Sequence, residues 1–449
     1  MSDVAGFDTV RVGELAFLLK AAGGEASGIR ESISRIVANA ENSAATGGYI
    51  ASPPSSEPDG GALATIASET FPMSSDVSTR LQHLLACQTS GLSIDAGMYF
   101  NDEKPPNSGN VKSALGTLEL YLLYVQGDSP FELSLTDVLD NWKKLTPTEL
   151  DALINTMPKA QLTTLSDQLV SASRPTQIAF ANLLYSEVGT GAMAKIDADM
   201  PILQPEIESY MDAQYMTVNG TLFPPGGADA AKDINVAGAN DTSFLSALGT
   251  IVTQNPDFLA QHIRENANGS YTVTFYSNGK PVDITVNGTL PVSQGSMPYA
   301  ETTNNVLWVA IYEKAYAQFR GGYWTFDAAN PESSRTSASD ALENLTGYKA
   351  YQVSTSDIGS DSDLAEQLWE LGQSENVATC SYNVAGLGSV TYMIKSINGY
   401  KQNPENWTIT VVDPFSSVDG SPKEMTLTSQ QFLKQFSTVS YGYTDANSY

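Results

Sequence analysis

The sequence predicts an α+β protein whose first half is mainly helical. In the first half, apolar residues recur at helical spacing, as in Leu15, Leu18 and Leu19. After Pro224 the pattern changes to short stretches of alternating β-branched and aromatic residues, separated by turn residues. The length of 449 residues suggests two or three domains. We therefore expect a helical N-terminal region followed by a mixed domain.

Composition divides the chain into four predicted segments. Residues 1–42 carry the pattern of a helical N-terminal segment, and residues 43–75 have the Pro, Gly and Ser content of a flexible linker. Helical patterns resume near residue 76 and predict a helical domain over 76–215. The mixed domain is predicted over 216–449.

The clearest helix start lies at Thr146. Thr146 is a good N-cap, Pro147 suits the first helical position, and Glu149 completes a capping box. The helix that follows has one apolar face, formed by Leu150, Leu153, Ile154 and Met157. Packing of this face against neighbouring helices is the simpler interpretation, and a groove for a partner is the alternative.

The second half contains helices and strands in alternation. The predicted elements are a helix over 243–252, a hairpin over 270–292, a helix over 306–319 and strands over 390–397 and 407–412. The hairpin has an Asn278-Gly279 turn, which is the strongest short-range hairpin signal.

Charge and rare residues exclude several classes of protein. The chain has 23 Lys and Arg against 50 Asp and Glu, which gives a net charge of -27. This balance argues against binding to nucleic acid and against binding to anionic lipid, since both need a basic patch. Two Cys and two His exclude a disulfide framework and a Cys/His zinc cluster. No membrane span and no Sec signal peptide are predicted.

Residues 226–415 resemble the catalytic core of calpain-type cysteine peptidases, a branch of the papain-like fold. The stretches that carry the resemblance are 240–292, with its Asn-Gly-Ser-Tyr-Thr-Val-Thr-Phe-Tyr run, then 299–319, with Glu-Lys-Ala-Tyr-Ala, and 341–350. Their order and spacing match the family. The resemblance therefore implies a papain-like, calpain-like core in the C-terminal half.

The positions that carry the family's chemistry hold other residues. The resemblance places Thr242 at the catalytic Cys and Val236 at the oxyanion Gln. Val390 falls at the catalytic His, and a shift of one residue would put Ser389 there instead. Asp413 falls at the Asn that orients the His. Papain-like catalysis needs a thiolate, a base and amide donors, so the sequence predicts that peptide hydrolysis has been lost.

Three functional hypotheses follow from this comparison. The first is a catalytically inactive, calpain-like binding or scaffold protein with a protein or peptide partner. The second is an active, calcium-dependent cysteine endopeptidase with a non-standard site. The third is a secreted or injected factor, that is, an effector exported without a signal peptide. The sequence does not determine the localisation, and a cytoplasmic protein is the alternative. The sequence does not indicate the oligomeric state.

Other candidate site residues are few. His83 and Cys87 stand at i and i+4 of a predicted helix, as a Cys-His pair or half of a metal site would, although an ordinary helix face is the simpler interpretation. His262 lies on a segment that the family keeps away from the cleft. Asp241 and Asp413 would form a carboxylate pair if they met across the cleft. We expect instead that Asp241 caps a helix and that Asp413 binds loop amides.

Calcium is the one cofactor that the resemblance implies. In the family, one calcium site uses an Asp before the oxyanion Gln and the Glu of the Glu-Lys-Ala-Tyr segment. The matching residues are Asp233 and Glu313, with carbonyl groups of Gly226 and Ala228 as further oxygen ligands. In so acidic a chain, two matching carboxylates also arise by chance.

Overall fold

The computed structural model divides the chain into two compact units, Met1–Pro158 and Lys159–Tyr449. It describes the following residues: 16–28, 60–89, 91–93, 106–237, 239–302, 305–327, 336–360, 369, 377–385, 388–399, 403, 406–415 and 423–444. The two units are considered separately. Among the residues that the structure describes, no helix is long and apolar enough to cross a membrane.

The first unit is helical, as predicted. Its helices are α1 (16–28), α2 (Gly60–Thr89), α3 (Ser108–Gln126), α4 (Leu135–Trp142) and α5 (Pro147–Thr156). The predicted start of α5 is confirmed, because the Thr146 hydroxyl accepts from the Glu149 backbone N–H and the Glu149 carboxylate accepts from the Thr146 backbone N–H at 3.0 Å. The apolar stripe of α5 is buried, which favours packing over a partner groove.

Part of the predicted linker is helical. Helix α2 begins at Gly60 and so covers 60–75, while residues 43–59 lie outside the described part of the chain. The turn-forming residues are concentrated before Gly61, and the following run Ala-Leu-Ala-Thr-Ile-Ala consists largely of residues that a helix tolerates well. The linker prediction was therefore wrong over 60–75, where Pro72 lies inside a helix.

In its described residues, the second unit combines helices with three antiparallel sheets. Its helices are α6 (Lys159–Val170), α7 (Arg174–Glu187), α8 (Thr190–Asp199), α9 (Ala230–Asp233), α10 (Thr242–Gln254), α11 (Phe258–His262), α12 (Trp308–Arg320), α13 (Ala338–Thr346), α14 (Thr355–Ser360) and α15 (Ser429–Gln435). Short 3₁₀ turns cover Pro201–Leu203, Ser209–Met211 and Tyr323–Thr325. The predicted fold class, α+β, is confirmed.

The strands form sheets of two, three and six strands. They are β1 (Gln214–Thr217), β2 (Ile263–Glu265), β3 (Tyr271–Ser277), β4 (Lys280–Val286), β5 (Thr289–Val292), β6 (Ala350–Ser354), β7 (Val377–Val384), β8 (Gly388–Asn398), β9 (Thr408–Val412), β10 (Glu424–Thr428) and β11 (Thr438–Gly442). The sheet orders are β1-β5, β2-β3-β4 and β10-β9-β8-β7-β11-β6. The predicted hairpin is β3–β4, whose turn residues Asn278 and Gly279 both have positive φ, as a type I′ turn requires.

The boundary between the units differs from the predicted boundary at 216. Helix α7 belongs to the second unit, because the Asn182 side chain hydrogen bonds along the free edge of β4. Its amide donates to the Asp283 carbonyl at 2.6 Å and accepts from the Thr285 N–H at 2.7 Å. An amide in this position blocks an edge that could pair with another chain. Asn182 and its partners lie about a hundred residues apart in the sequence, so no local pattern predicts that α7 belongs to the second unit.

A buried lysine joins four segments of the second unit. Lys314 on α12 is almost completely buried, and its Nζ donates to Asn287 Oδ1, to the Thr289 carbonyl at 2.6 Å and to Gln204 Oε1 at 3.0 Å. Asn287 in turn donates to Asp197 of α8 at 2.6 Å. Burial lowers the pKa of Lys314 to about 7, and Asp197 opposes that shift. Since the described hydrogen-bond partners of Nζ are all acceptors, the arrangement fits the ammonium form.

Replacing Lys314 should therefore destabilise the second unit. We expect Lys314→Met to lower the free energy of unfolding by about 3–5 kcal/mol, because it removes one partner of a buried ionic network. Urea unfolding of the full chain measures the change. Lys280→Met, at the exposed first residue of β4, is the matched control and should change stability by less than about 0.5 kcal/mol. Equal stability of the two variants would contradict a structural role for the ammonium group.

Candidate functional site

The residues that the resemblance assigns to the site meet around the start of α10. Thr242 is the first residue of this helix, and the Thr391 N–H of β8 donates to its hydroxyl at 3.1 Å. The Val236 N–H donates to the Pro414 carbonyl at 2.9 Å, next to Asp413. The structure thus brings together the segments that carry 236, 242, 390 and 413, and α10 packs on the sheet as the matched spacing predicts.

The Thr242 hydroxyl is buried and fully engaged. It donates to Asn240 Oδ1 at 2.7 Å and accepts from the Thr391 N–H. Asn240 is itself anchored, because its amide donates to the Ser389 carbonyl at 3.0 Å. Neither partner of the hydroxyl is a base, so nothing in contact with it can remove its proton. As placed, Thr242 fixes the helix to the strand.

Helix α10 contacts β8 through a row of polar side chains. Ser246 donates to the Thr391 carbonyl at 2.8 Å, Thr250 donates to the Ile394 carbonyl at 3.3 Å, and Gln254 donates to the Lys395 carbonyl at 3.3 Å. These residues are spaced by four, so they lie along one face of the helix. The interface therefore has a defined register rather than a purely apolar contact.

Close approach of helix and strand also requires Gly249. A Cβ on Gly249 would overlap Met393 Sδ and Ile234 Cδ1. The sequence analysis singled out neither this glycine nor the polar row.

The strand alternation decides which residue of β8 faces the helix. Thr391 and Met393 face α10, since they contact Ser243 and the space beside Gly249. Val390 and Tyr392 belong to the apolar cluster on the opposite face of the sheet. Because successive side chains alternate, Ser389 shares the face of Thr391. The sequence left open whether Val390 or Ser389 occupies the position of the catalytic His. Of these two residues, Ser389 is the one on the face of β8 that is turned towards the helix.

Asp413 has the structural role expected for it. Its carboxylate accepts from the Tyr392 hydroxyl at 2.8 Å and from the Phe415 N–H at 2.9 Å. Lys423 lies nearby: its backbone carbonyl accepts from the Asp413 N–H at 2.8 Å, and its ammonium donates to the Ile234 carbonyl. Burial lowers the pKa of Lys423, while Asp413 and Asp233 oppose that shift. These bonds join the segment before α10 to the end of β9.

Asp241 does not cap α10, so that prediction was wrong. Its side chain makes no capping bond, although it occupies the N-cap position. The carboxyl group is completely buried, and neither oxygen has a hydrogen-bond partner. Burial raises the pKa of Asp241 well above its usual value, and the neighbouring acids Asp327 and Glu208 raise it further, while the backbone N–H of Asp241 itself opposes the shift. Asp241 therefore lies beside Asp327 and Glu208, whereas Asp413 bonds to Tyr392 and a loop amide. Among these described contacts, Asp241 and Asp413 do not form a carboxylate pair.

The other candidate residues lie apart from this site. The His262 ring stacks on Phe258 with centroids 4.1 Å apart, and its Nδ1 lies 2.9 Å from the Phe258 carbonyl, so Nδ1 carries the proton. Burial lowers the pKa of His262. Its ring lines a separate cavity of about 300 Å³ with Tyr276. His83 and Cys87 lie on α2, but their side chains are outside the described part of the structure.

The predicted calcium ligands fit a cation only in part. Asp233 Oδ2 already accepts from Trp308 Nε1 at 2.9 Å and from the Asp229 N–H at 2.9 Å. Glu313 Oε2 accepts from the Ala300 N–H at 2.8 Å, but Glu313 Oε1 is buried without a partner. Within the described residues, no three His, Cys, Asp or Glu side chains are arranged to hold a metal ion. Glu313 Oε1 therefore has room for a cation, and carbonyl groups would have to complete the site.

Besides Gly249 and the polar row of α10, sequence reasoning missed three further residues that shape this site. Asn240 and Thr391 hold the Thr242 hydroxyl, and Asp327 accepts from the Asn240 N–H at 2.9 Å. Period-two alternation along β8 is the one signal that could have indicated the faces of 389 and 391. Nothing in the local sequence around Asp327 indicates its contact with residue 240.

Comparison with known proteins identifies the region around this site. Residues 213–404 match the model of the calpain family cysteine protease. Calpain clp-4 of Caenorhabditis elegans is 31% identical over 121 residues, which cover 26% of this chain and 16% of that protein. Calpain clp-1 of the same organism is 35% identical over 88 residues, or 19% of this chain and 10% of that protein.

A plant relative extends the similarity. The calpain-type cysteine protease ADL1 of Oryza sativa subsp. japonica is 29% identical over 154 residues, which cover 32% of this chain and 6% of that protein. In each of these three comparisons the chain matches less than a fifth of the relative's length. The similarity therefore concerns one domain of these proteins.

A thiol introduced at position 242 should be protected from solvent. We expect Thr242→Cys, in a Cys87→Ser background, to resist labelling by iodoacetamide in the native chain and to react after denaturation, because the side chain at 242 is fully buried. Mass spectrometry of the labelled peptides measures this. Buried Cys380 is the internal control, and its pKa is raised by burial. Rapid native labelling at 242 would show that the site opens to solvent.

Proposed function

Because residues 213–404 form a calpain-family domain, we propose that the chain is a catalytically inactive calpain-like protein that acts as a binding or scaffold module. The observation that carries the proposal is the state of the Thr242 hydroxyl, which is buried and bonded to Asn240 and to the Thr391 N–H. A nucleophile must reach its substrate and must lose its proton to a base. Neither condition is met at this position.

The neighbouring positions support the same conclusion. Val236 and Val390 offer no donor and no base, and Val390 belongs to the far face of the sheet. Ser389, on the near face, is not a base at neutral pH. The Asp413 carboxylate is occupied by Tyr392 and a backbone N–H. In the register that the resemblance implies, the thiolate, the imidazole and the side-chain oxyanion donor are all replaced, and such groups act as a unit.

The alternative is an active cysteine-type endopeptidase with a non-standard site. The family match supports it, since the relatives of the chain are named as calpains and calpain-type cysteine proteases. A digest of casein and of a peptide library, with and without calcium, distinguishes the two proposals.

A binding role is supported by exposed apolar residues in the first unit. The second half of α3 exposes Leu120, Leu123, Tyr124 and Val125, and Phe131 is 66% exposed just after that helix. Clustered apolar side chains on a surface are typical of contacts with other proteins. We therefore propose a protein or peptide partner for this unit, whereas the acidic charge makes nucleic acid an unsuitable ligand.

The chain should show no thiol-dependent peptidase activity, and Thr242→Cys alone should not create it. The variant would still lack a base near 390 and a side-chain donor at 236, the latter a loss of about 3 kcal/mol in transition-state stabilisation. The casein and peptide-library digest measures activity, and a thiol-reactive peptide inhibitor reports any reactive Cys.

Two variants identify the source of any cleavage that is seen. Cleavage that disappears in Thr242→Ala would contradict the proposal of an inactive site. Cleavage that survives this change but disappears in Cys87→Ala would place an active site in the first unit.

Calcium binding is a second, separable proposal. It is supported by Glu313 Oε1, a buried acceptor without a partner, and by Asn235 Oδ1, which is also buried and unpartnered. Burying an acceptor without a partner costs free energy unless a cation or a hydrogen-bond donor binds to it. Asp233 and Glu313 would then supply carboxylate oxygens to the ion.

Calorimetric titration with calcium tests this site. We expect Glu313→Gln and Asp233→Asn each to weaken binding at least about tenfold, because each removes a charged hard-oxygen ligand. Asp257→Asn, an exposed change outside the site, should leave the affinity unchanged. Tight binding that persists in both site variants would show that calcium binds at another site. A lack of binding by the parent chain would contradict the proposal that the chain binds calcium.

A further inference from the structure

Three carboxyl groups from distant segments meet beside the start of α10. Asp241 precedes the helix, Glu208 precedes the 3₁₀ turn Ser209–Met211, and Asp327 follows the turn Tyr323–Thr325. Each of the three residues is less than 9% exposed. The segments are also bonded to each other, since Asp327 accepts from the Asn240 N–H at 2.9 Å.

The Tyr210 hydroxyl links two of these carboxyl groups. It lies within hydrogen-bond distance of a Glu208 oxygen, at 3.1 Å, and of Asp327 Oδ2. A hydroxyl has one hydrogen, so it donates fully to one of the two groups at a time. Tyr210 therefore joins the 208–211 turn to the segment that follows Tyr323–Thr325.

Asp241 supplies an independent observation. Both of its oxygens are buried and have no hydrogen-bond partner. A buried carboxylate without a partner is far more costly than the neutral acid, so the geometry favours a protonated Asp241. The nearest acids, Asp327 and Glu208, act in the same direction and raise its pKa.

We propose that Glu208, Asp241 and Asp327 form a proton-dependent latch that holds two turns against the start of α10. With Asp241 protonated, this residue adds no charge to the cluster. When Asp241 loses its proton, its charge lies at low dielectric beside Asp327 and Glu208, and the repulsion favours release of the 208–211 and 323–327 segments.

The titratable groups around Asp241 come from three further segments. Glu208 and Tyr210 belong to one, Tyr323 and Asp327 to the second, and Tyr299 to the third. The pKa values of Tyr299 and Tyr323 are raised mainly by burial, so both phenols stay neutral when Asp241 titrates. The latch therefore responds to Asp241. It does not depend on whether the domain is catalytic.

The direction of the pH dependence follows from the raised pKa of Asp241. Its unfolded-state pKa is about 3.9, so its stabilising contribution is complete below about pH 4 and is lost as the pH rises through the folded-state pKa. Stability of the latched state should thus fall as the pH rises.

The test compares urea unfolding of the full chain and of Asp241→Asn from about pH 4 to about pH 8. The ratio of the wild-type to the variant unfolding constant should rise by up to about tenfold per pH unit, until the folded-state pKa is reached. Glu265→Gln, which replaces an exposed carboxylate, is the matched control and should show no such trend. A ratio for Asp241→Asn that does not change with pH would overturn the proposal.

Two further measurements use other properties of the same cluster. Infrared spectroscopy of the unmodified chain should show the C=O stretch of a protonated carboxyl group above about pH 6, where ordinary Asp and Glu are ionised. Its absence would overturn the proposal even if the variant fails to fold. Hydrogen exchange, corrected for its intrinsic pH dependence, should show that 208–211 and 323–327 open more often as the pH rises. Opening that is independent of pH would show that the cluster is not a latch.

Discussion

The contact between α10 and β8 is the interaction on which the site depends. Five polar residues of the helix bond to the strand, and Thr242, Ser246 and Thr250 do so at nearly regular spacing. Side-chain bonds to strand backbone fix both the distance and the register, which apolar packing alone does not. Gly249 allows the close approach, because a Cβ there would overlap Met393.

The site positions have become structural in this chain. The Thr242 hydroxyl anchors the helix, the Val236 N–H bonds to the Pro414 carbonyl, and the Asp413 carboxylate holds Tyr392. Lys423 adds a bond to the Ile234 carbonyl. A papain-like site needs these positions free to meet substrate, whereas here they join the segments on either side of the site. The residues at these positions therefore contribute internal bonds to the domain.

Two buried ionisable groups of this domain, Lys314 and Asp241, have opposite electrostatic surroundings. Lys314 is surrounded by acceptors and is linked through Asn287 to Asp197, so its ammonium charge is compensated. Asp241 has no hydrogen-bond partner and has Asp327 and another acid as neighbours, so its charge is disfavoured. The first arrangement holds the α8 and α12 segments together at neutral pH. The second makes the start of α10 sensitive to protons.

The sequence by itself determined the features that depend on neighbouring residues. These are the capped start of α5 at Thr146, the Asn278-Gly279 hairpin turn, the helices near 243–252 and 306–319, and the strands near 390–397 and 407–412. Tertiary structure alone decided that Asp241 is buried without a cap, that Ser389 and not Val390 shares the helix-facing side of β8, and that α7 covers an edge of the second unit. The bond from Asn240 to Ser389 spans 149 residues. Burial and pairing between such distant segments are set by packing of the whole domain, and they leave no periodic pattern in the chain.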